Sequence, residues 1–104
     1  MAMLVAVHRT PADPEAYNRH YFDVHVPLAK ALPGLRRYEV SEGPVLDGDD
    51  ETDIHLVAFL HFDNVDAARS ALTGPEGKAA IADLPNLGAD ANISLLTFDT
   101  RENF

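Results

Sequence analysis

The stretch 54-IHLVAFLHF-62 decides the fold. Its even positions, Ile54, Leu56, Ala58, Leu60 and Phe62, are all apolar. That is the pattern of a strand with one face packed against helices. The odd positions, His55, Val57, Phe59 and His61, put two large apolar side chains at the centre of the other face. In a lone two-layer domain that face meets water, and an exposed apolar patch marks an interface. The pattern predicts a homodimer, sheet packed on sheet around a two-fold axis through Val57 and Phe59.

Upstream, residues 3–9 (MLVAVHR) and 35–42 (LRRYEVSE) carry the same strand signature, and Ile93–Asp99 supplies a fourth strand. Asp13 ahead of Pro14 is a helix start, since aspartate caps and proline suits the first turn. From there Tyr17, Tyr21, Val24, Leu28 and Leu32 form one apolar stripe, which ends at Pro33 and Gly34. Pro27 sits inside this helix and cannot donate to the carbonyl of Asp23. The helix is therefore expected to kink, or to end and restart, across residues 23–27. Residues 43–53 form an acidic, turn-rich connection. A second helix follows at DNVDAARSAL, capped by Asp63 or Asn64; it breaks at Thr73 and Gly74 and resumes at Pro75. The order β-α-β-β-α-β predicts a ferredoxin-like α+β fold: a four-stranded antiparallel sheet with both helices on one face. The 104 residues suffice for one such domain.

Composition narrows the function. With 17 acidic against 8 basic residues the net charge is −9, which repels phosphate backbones and anionic membranes. Nucleic acid and membrane are thus not expected partners. No run approaches a membrane span, and the start MAMLVAVHR lacks the leader of a signal peptide, so a cytoplasmic protein is expected. Absence of cysteine excludes disulfides, thiolate metal sites and a cysteine nucleophile. The segment TGPEGK lacks Walker spacing, and Ser41, Ser70 and Ser94 lie in no nucleophile elbow. There is no flavin, nicotinamide or haem motif, so no cofactor is expected. His20 and His25 are off the spacing that aligns two ligands on an α-helix, and His55 and His61 stand about 20 Å apart along a strand. No metal is expected.

His25 falls within the proline defect, one α-helical turn after Tyr21 and two after Tyr17. An imidazole there, beside aromatic rings, is a candidate general acid/base. The alternative is a structural histidine bonded to the carbonyl that Pro27 frees. His20, on the opposite flank of the stripe, is expected to be solvated. Asp83, ahead of an apolar residue and a proline in IADLPN, is a candidate partner for an imidazole, or a plain helix-end aspartate. His8, Tyr17, Tyr21 and Tyr38 are candidates to contact a substrate.

Tyr17, Tyr21, His25, Pro27 and Leu28, spaced Y-x3-Y-x3-H-x-P-L and followed by LPGLRRYEV, resemble the EthD family. The second half, DNVDAARSALTGPEGKAAIADLPNL, is similar to that family's second helix and its D-L-P-N-F segment. Leu87 stands where the family has an aromatic residue, which is expected to reshape one wall of a pocket. The resemblance covers nearly the whole chain. It implies a subunit of the dimeric α/β-barrel superfamily, with a pocket between sheet and helices and functional roles for His25 and Asp83. Family descriptions carry an oxidoreductase label, and similar domains occur among polyketide cyclases, dehydratases, lactone isomerases and cofactorless monooxygenases. The leading expectation is acid/base chemistry on a hydrophobic, aromatic or polyketide-like molecule. The alternatives are a cofactorless monooxygenase, a binding accessory protein without chemistry, and a dimeric module with a filled core.

Overall fold

In the computed structural model, which describes residues 1–88 and 92–103, IHLVAFLHF forms β5 (Ile54–Phe62), one of the two central strands. Its neighbour β1 (Ala2–Arg9) buries Ala2, Leu4, Ala6 and His8 on the face that β5 shares through Phe62, Leu60, Ala58 and Leu56. The edge strands are β2 (Arg37–Val40) and β6 (Ile93–Asp99), giving an antiparallel sheet of order β2-β5-β1-β6. The second strand is shorter than the alternation in residues 35–42 implies, although Arg36 N–H and Ser41 N–H still bond to His61 and Val57 carbonyls at its ends. A small hairpin, β3 (Leu46–Asp47) and β4 (Asp50–Glu51), occupies the acidic connection, with Gly48 at φ 60° in its turn.

One face of the sheet carries the helices, α1 (Pro14–His20), α2 (Val26–Lys30), α3 (Val65–Thr73) and α4 (Pro75–Asp83). Both caps follow from side-chain chemistry: Ala16 N–H donates to Asp13 Oδ1 (3.1 Å), and Ala67 N–H to Asn64 Oδ1 (2.8 Å). Asp63 instead takes a forked bond from Arg36. Between α1 and α2 runs a π-helical turn, Tyr21–His25, closed by the Val26 N–H on the Tyr21 carbonyl. The helix thus ends and restarts ahead of Pro27, which falls in the first turn of α2, where its missing N–H is no loss.

The π-turn holds one residue more than an α-turn and so shifts the helical phase. Val24, expected in the core stripe, is 41% exposed, whereas His25, Ala29 and Leu32 follow Tyr17 and Tyr21 into the interior. A second shift lies in the sheet, where pairing slips between His8 and Arg9. Alternation breaks there, and His55 turns against α1, donating from Nε2 to Asn18 Oδ1 (2.7 Å) and packing edge-on to Tyr17. The centre of the sheet's far face is apolar, as expected. Val5 pairs there with Phe59 on one side and Leu96 on the other, Val7 with Val57 and Ser94, and Met3 with His61 and Phe98. The apolar patch is thus central, and His61 and Ser94 lie at its ends. Among the described residues no helix is long and apolar enough to cross a membrane.

Candidate active site

α4 ends at Asp83, whose carboxylate is buried under the π-turn. His25 Nδ1 donates to Asp83 Oδ2 at 3.0 Å. This replaces the alternative in which His25 serves a carbonyl freed by Pro27. The bond defines the tautomer: with Nδ1 carrying the proton, Nε2 of neutral His25 holds the lone pair. His20 also reaches this carboxylate, donating from Nε2 to Oδ1 (2.8 Å) and Oδ2 (3.1 Å). His20, expected to be merely solvated, is thus only part exposed and tied to Asp83. In an α-helix residues five apart diverge, but the π-turn brings both imidazoles to one side. Asn86, in the 3-10 turn Leu84–Leu87, adds a bond to Oδ1 (3.2 Å). Its signal was the D-x-x-N spacing at the end of a helix. Burial pushes the Asp83 carboxyl up, yet the hydrogen bonds from His20, Asn86 and His25 and the charge of His20 outweigh it and hold the group below its usual range.

His25 lines a narrow, mostly apolar cleft between the sheet and α2 and α4. Ala6 and Ala58, paired across β1 and β5, form part of its floor, and Ala29 and Ala80 face in from the helices. Polar groups come from His8, Tyr21, His25 and Tyr38. The hydroxyls of Tyr21 and Tyr38 are hydrogen-bonded at 2.6 Å. Burial raises both phenols; Tyr21 is raised further by Tyr38, whereas the bond from Tyr21 partly offsets the rise at Tyr38. With Tyr21 as donor, the Tyr38 O–H is left to donate into the cleft. The free volume is about 40 Å³, smaller than a ring-sized ligand needs, and Ile81 and Leu95 are the exposed side chains of its lining.

Two expected positions lie elsewhere. Tyr17 does not line the cleft; it is 1% exposed and its hydroxyl bonds to His8 Nδ1 from behind. Leu87 is buried in the core cluster and shapes no wall of the cleft, where Leu84 appears instead. Among the described residues no group of three or more histidine or carboxylate side chains converges for a metal ion.

The His8 imidazole is strongly perturbed. Burial, and then repulsion from His25 and His55, lowers it from 6.5 to about 4. A histidine with a depressed folded value is neutral in both states above 6.5, so its stabilisation is complete there. As pH falls from 6.5 towards 4 the unfolded chain takes a proton that the folded one refuses, and about 3 kcal/mol of stability is lost. Urea unfolding at pH 7.0 and 4.5 should show this loss in the wild type and a smaller one in His8→Gln. Parallel losses in both proteins would contradict the assignment.

A family model described as the EthD domain matches residues 9–90. A curated protein from the thcB–thcC intergenic region of Rhodococcus erythropolis is 33% identical over 97 residues, covering 93% of each chain. Among solved structures, an EthD family protein from Bacillus halodurans superposes with a TM-score of 0.86 at 27% identity, over 97% of this chain and 99% of that one. SnoaB, a cofactor-independent oxygenase from Streptomyces nogalater, gives 0.68 at 19% identity, over 98% and 94%. A dimeric ferredoxin-like protein from Jannaschia gives 0.65 at 21%, over 96% and 100%; these two likenesses concern the fold alone.

Proposed function

The chain belongs to the EthD family, and from that premise we propose that it is a homodimeric protein performing acid/base chemistry on a hydrophobic, aromatic or polyketide-like small molecule. The observation that carries the reading is the bond from His25 Nδ1 to buried Asp83 at the wall of an apolar cleft. The carboxylate orients the ring and compensates the imidazolium that forms when Nε2 takes a proton. Tyr38 donates to the oxygen on which negative charge develops, a keto or phenol oxygen. The cleft walls are alanine and branched aliphatic side chains, suited to a flat, uncharged molecule.

The same first step supports a second reading, favoured by the likeness in fold to a cofactor-independent oxygenase. A carbanion formed at an activated CH2 group is either reprotonated at another atom, giving isomerisation or cyclisation, or gives electrons to O2. In the oxygenase case CH2 and O2 become C=O and water. Incubation of dihydroxyaromatic and polycyclic keto compounds in D2O separates the outcomes. Deuterium incorporation without oxygen uptake favours the isomerase or cyclase reading, and uptake at one O2 per product favours the oxygenase. Binding with neither would remove both and leave an accessory protein.

Homodimer formation is proposed through the far face of the sheet, around Val57 and Phe59. The apolar row from Phe59 across Val5 to the 53% exposed Leu96 supports it, as does the dimeric relative in fold. Phe59→Glu puts a second carboxylate opposite Glu39 in that face and is expected to yield a monomer in sedimentation velocity. A dimer that survives the change would place the interface elsewhere.

A further inference from the structure

We propose that His20 is a positioning residue of the same site, one that holds Asp83 in place and governs how much of its charge is left to His25. The inference rests on the acid/base reading of His25. Its ground is the way a single carboxylate is divided. His20 Nε2 bonds to both oxygens of Asp83 and Asn86 holds Oδ1, while His25 takes only Oδ2. The carboxylate plane is therefore set by α1 and the 3-10 turn, and His25 binds an acceptor that is already fixed.

Exposure separates the roles of the three side chains. Those of Asp83 and His25 are 5% and 11% exposed, whereas that of His20 is 27% exposed and opens on a shallow surface dip with Arg19 and Asp23. His20 is thus the member of the trio that exchanges protons with water most readily. A proton on His20 neutralises Asp83 and leaves His25 without a counter-charge; its departure gives the whole negative charge back to His25. The two imidazoles thus share one anion. The charged and titratable groups around them are Asp83 from α4, Arg19 and Asp23 beside His20, and His8, Tyr21 and Tyr38 beside His25. The π-turn is the geometric condition for this sharing, because it puts residues five apart within reach of one carboxylate.

The test needs no substrate. Ring Cε1–H resonances of 13C-labelled histidine are followed from pH 5 to 9 in the wild type, His20→Gln and His20→Leu, with melting temperatures recorded alongside. In the wild type the His25 signal should respond to the protonation of His20. Both variants should lose that response, and His25 should hold its proton more firmly, as Asp83 serves one imidazole. Glutamine keeps a donor for Asp83 and should preserve the downfield Nδ1–H resonance of His25; leucine should broaden it. Superimposable His25 curves in all three folded proteins would overturn the proposal. Loss of the acid/base reading shows itself separately, as substrate deuterium incorporation that persists in His25→Gln while the wild-type His25 signal still responds to His20.

Discussion

Replacement of His25 by glutamine is expected to slow substrate deuteration about 100- to 10,000-fold, the usual contribution of a positioned base. Glutamine keeps a polar side chain in the π-turn and can still donate to Asp83, but its other end takes no proton. Asp83→Asn should lose a comparable factor by another route. The carboxylate only accepts, so it enforces the Nδ1–H tautomer of His25. An asparagine amide turned to donate would favour the opposite tautomer, with a proton on Nε2 where the reaction needs a lone pair. It also removes the charge that balances an imidazolium. Both changes should fall on kcat more than on KM, since the apolar walls of the cleft are untouched. Initial rates of deuteration, with far-ultraviolet circular dichroism to confirm folding, check the pair. A His25→Gln rate within twofold of wild type would remove His25 from the chemistry.

Gly77→Ala is expected to destabilise the fold by about 3 kcal/mol, at the upper end of overpacking, and to lower the melting temperature by roughly 15 °C. Helix propensity alone argues the reverse, since alanine in a helix interior is favoured over glycine by about 1 kcal/mol. Contact decides the sign. A Cβ on Gly77 would overlap the backbone carbonyl of Ala71 and the carbonyl group of Leu72, at the end of α3. These are main-chain atoms and cannot swing aside as a side chain would. Relief requires α4 to move away from α3, and α4 carries Asp83 at its far end. Urea and thermal unfolding give the stability, and the Nδ1–H resonance of His25 reports whether the damage reaches the site. A variant as stable as wild type would mean the two helices are less closely apposed than their backbones indicate.

The fold was readable wherever side chains obey a simple period. The alternation in 54-IHLVAFLHF-62 identified a strand with one packed face and an apolar centre on the other. Apolar and β-branched composition marked β1, and Asp13 marked a helix start by local chemistry alone, whereas the helix expected to end at Pro33 and Gly34 stops at Lys30. The pairing of His25 with Asp83 was anticipated as a candidate because both residues sit at interruptions of helical order. What escaped arises from single-residue shifts. The π-turn exchanged Val24 for His25 in the interior and brought His20 to Asp83; the slip opposite Arg9 turned His55 towards α1. A periodic reading averages over several residues and assumes constant phase, so one extra residue reverses its conclusion for everything near it. The β3–β4 hairpin escaped for another reason: its two-residue strands are too short for any period to register.

The π-turn has one more consequence, at the level of the gene. Deletion of one codon among residues 22–24 would restore an unbroken α-helical phase without touching the sheet. His20 and the former His25 would then stand four apart, the spacing that keeps two side chains on one face of an α-helix, so both imidazoles would still look towards one aspartate. Such a chain would retain its capped helix start and its core strands as well. The π-turn is thus the fold's way of absorbing one additional residue while leaving the flanking faces in register.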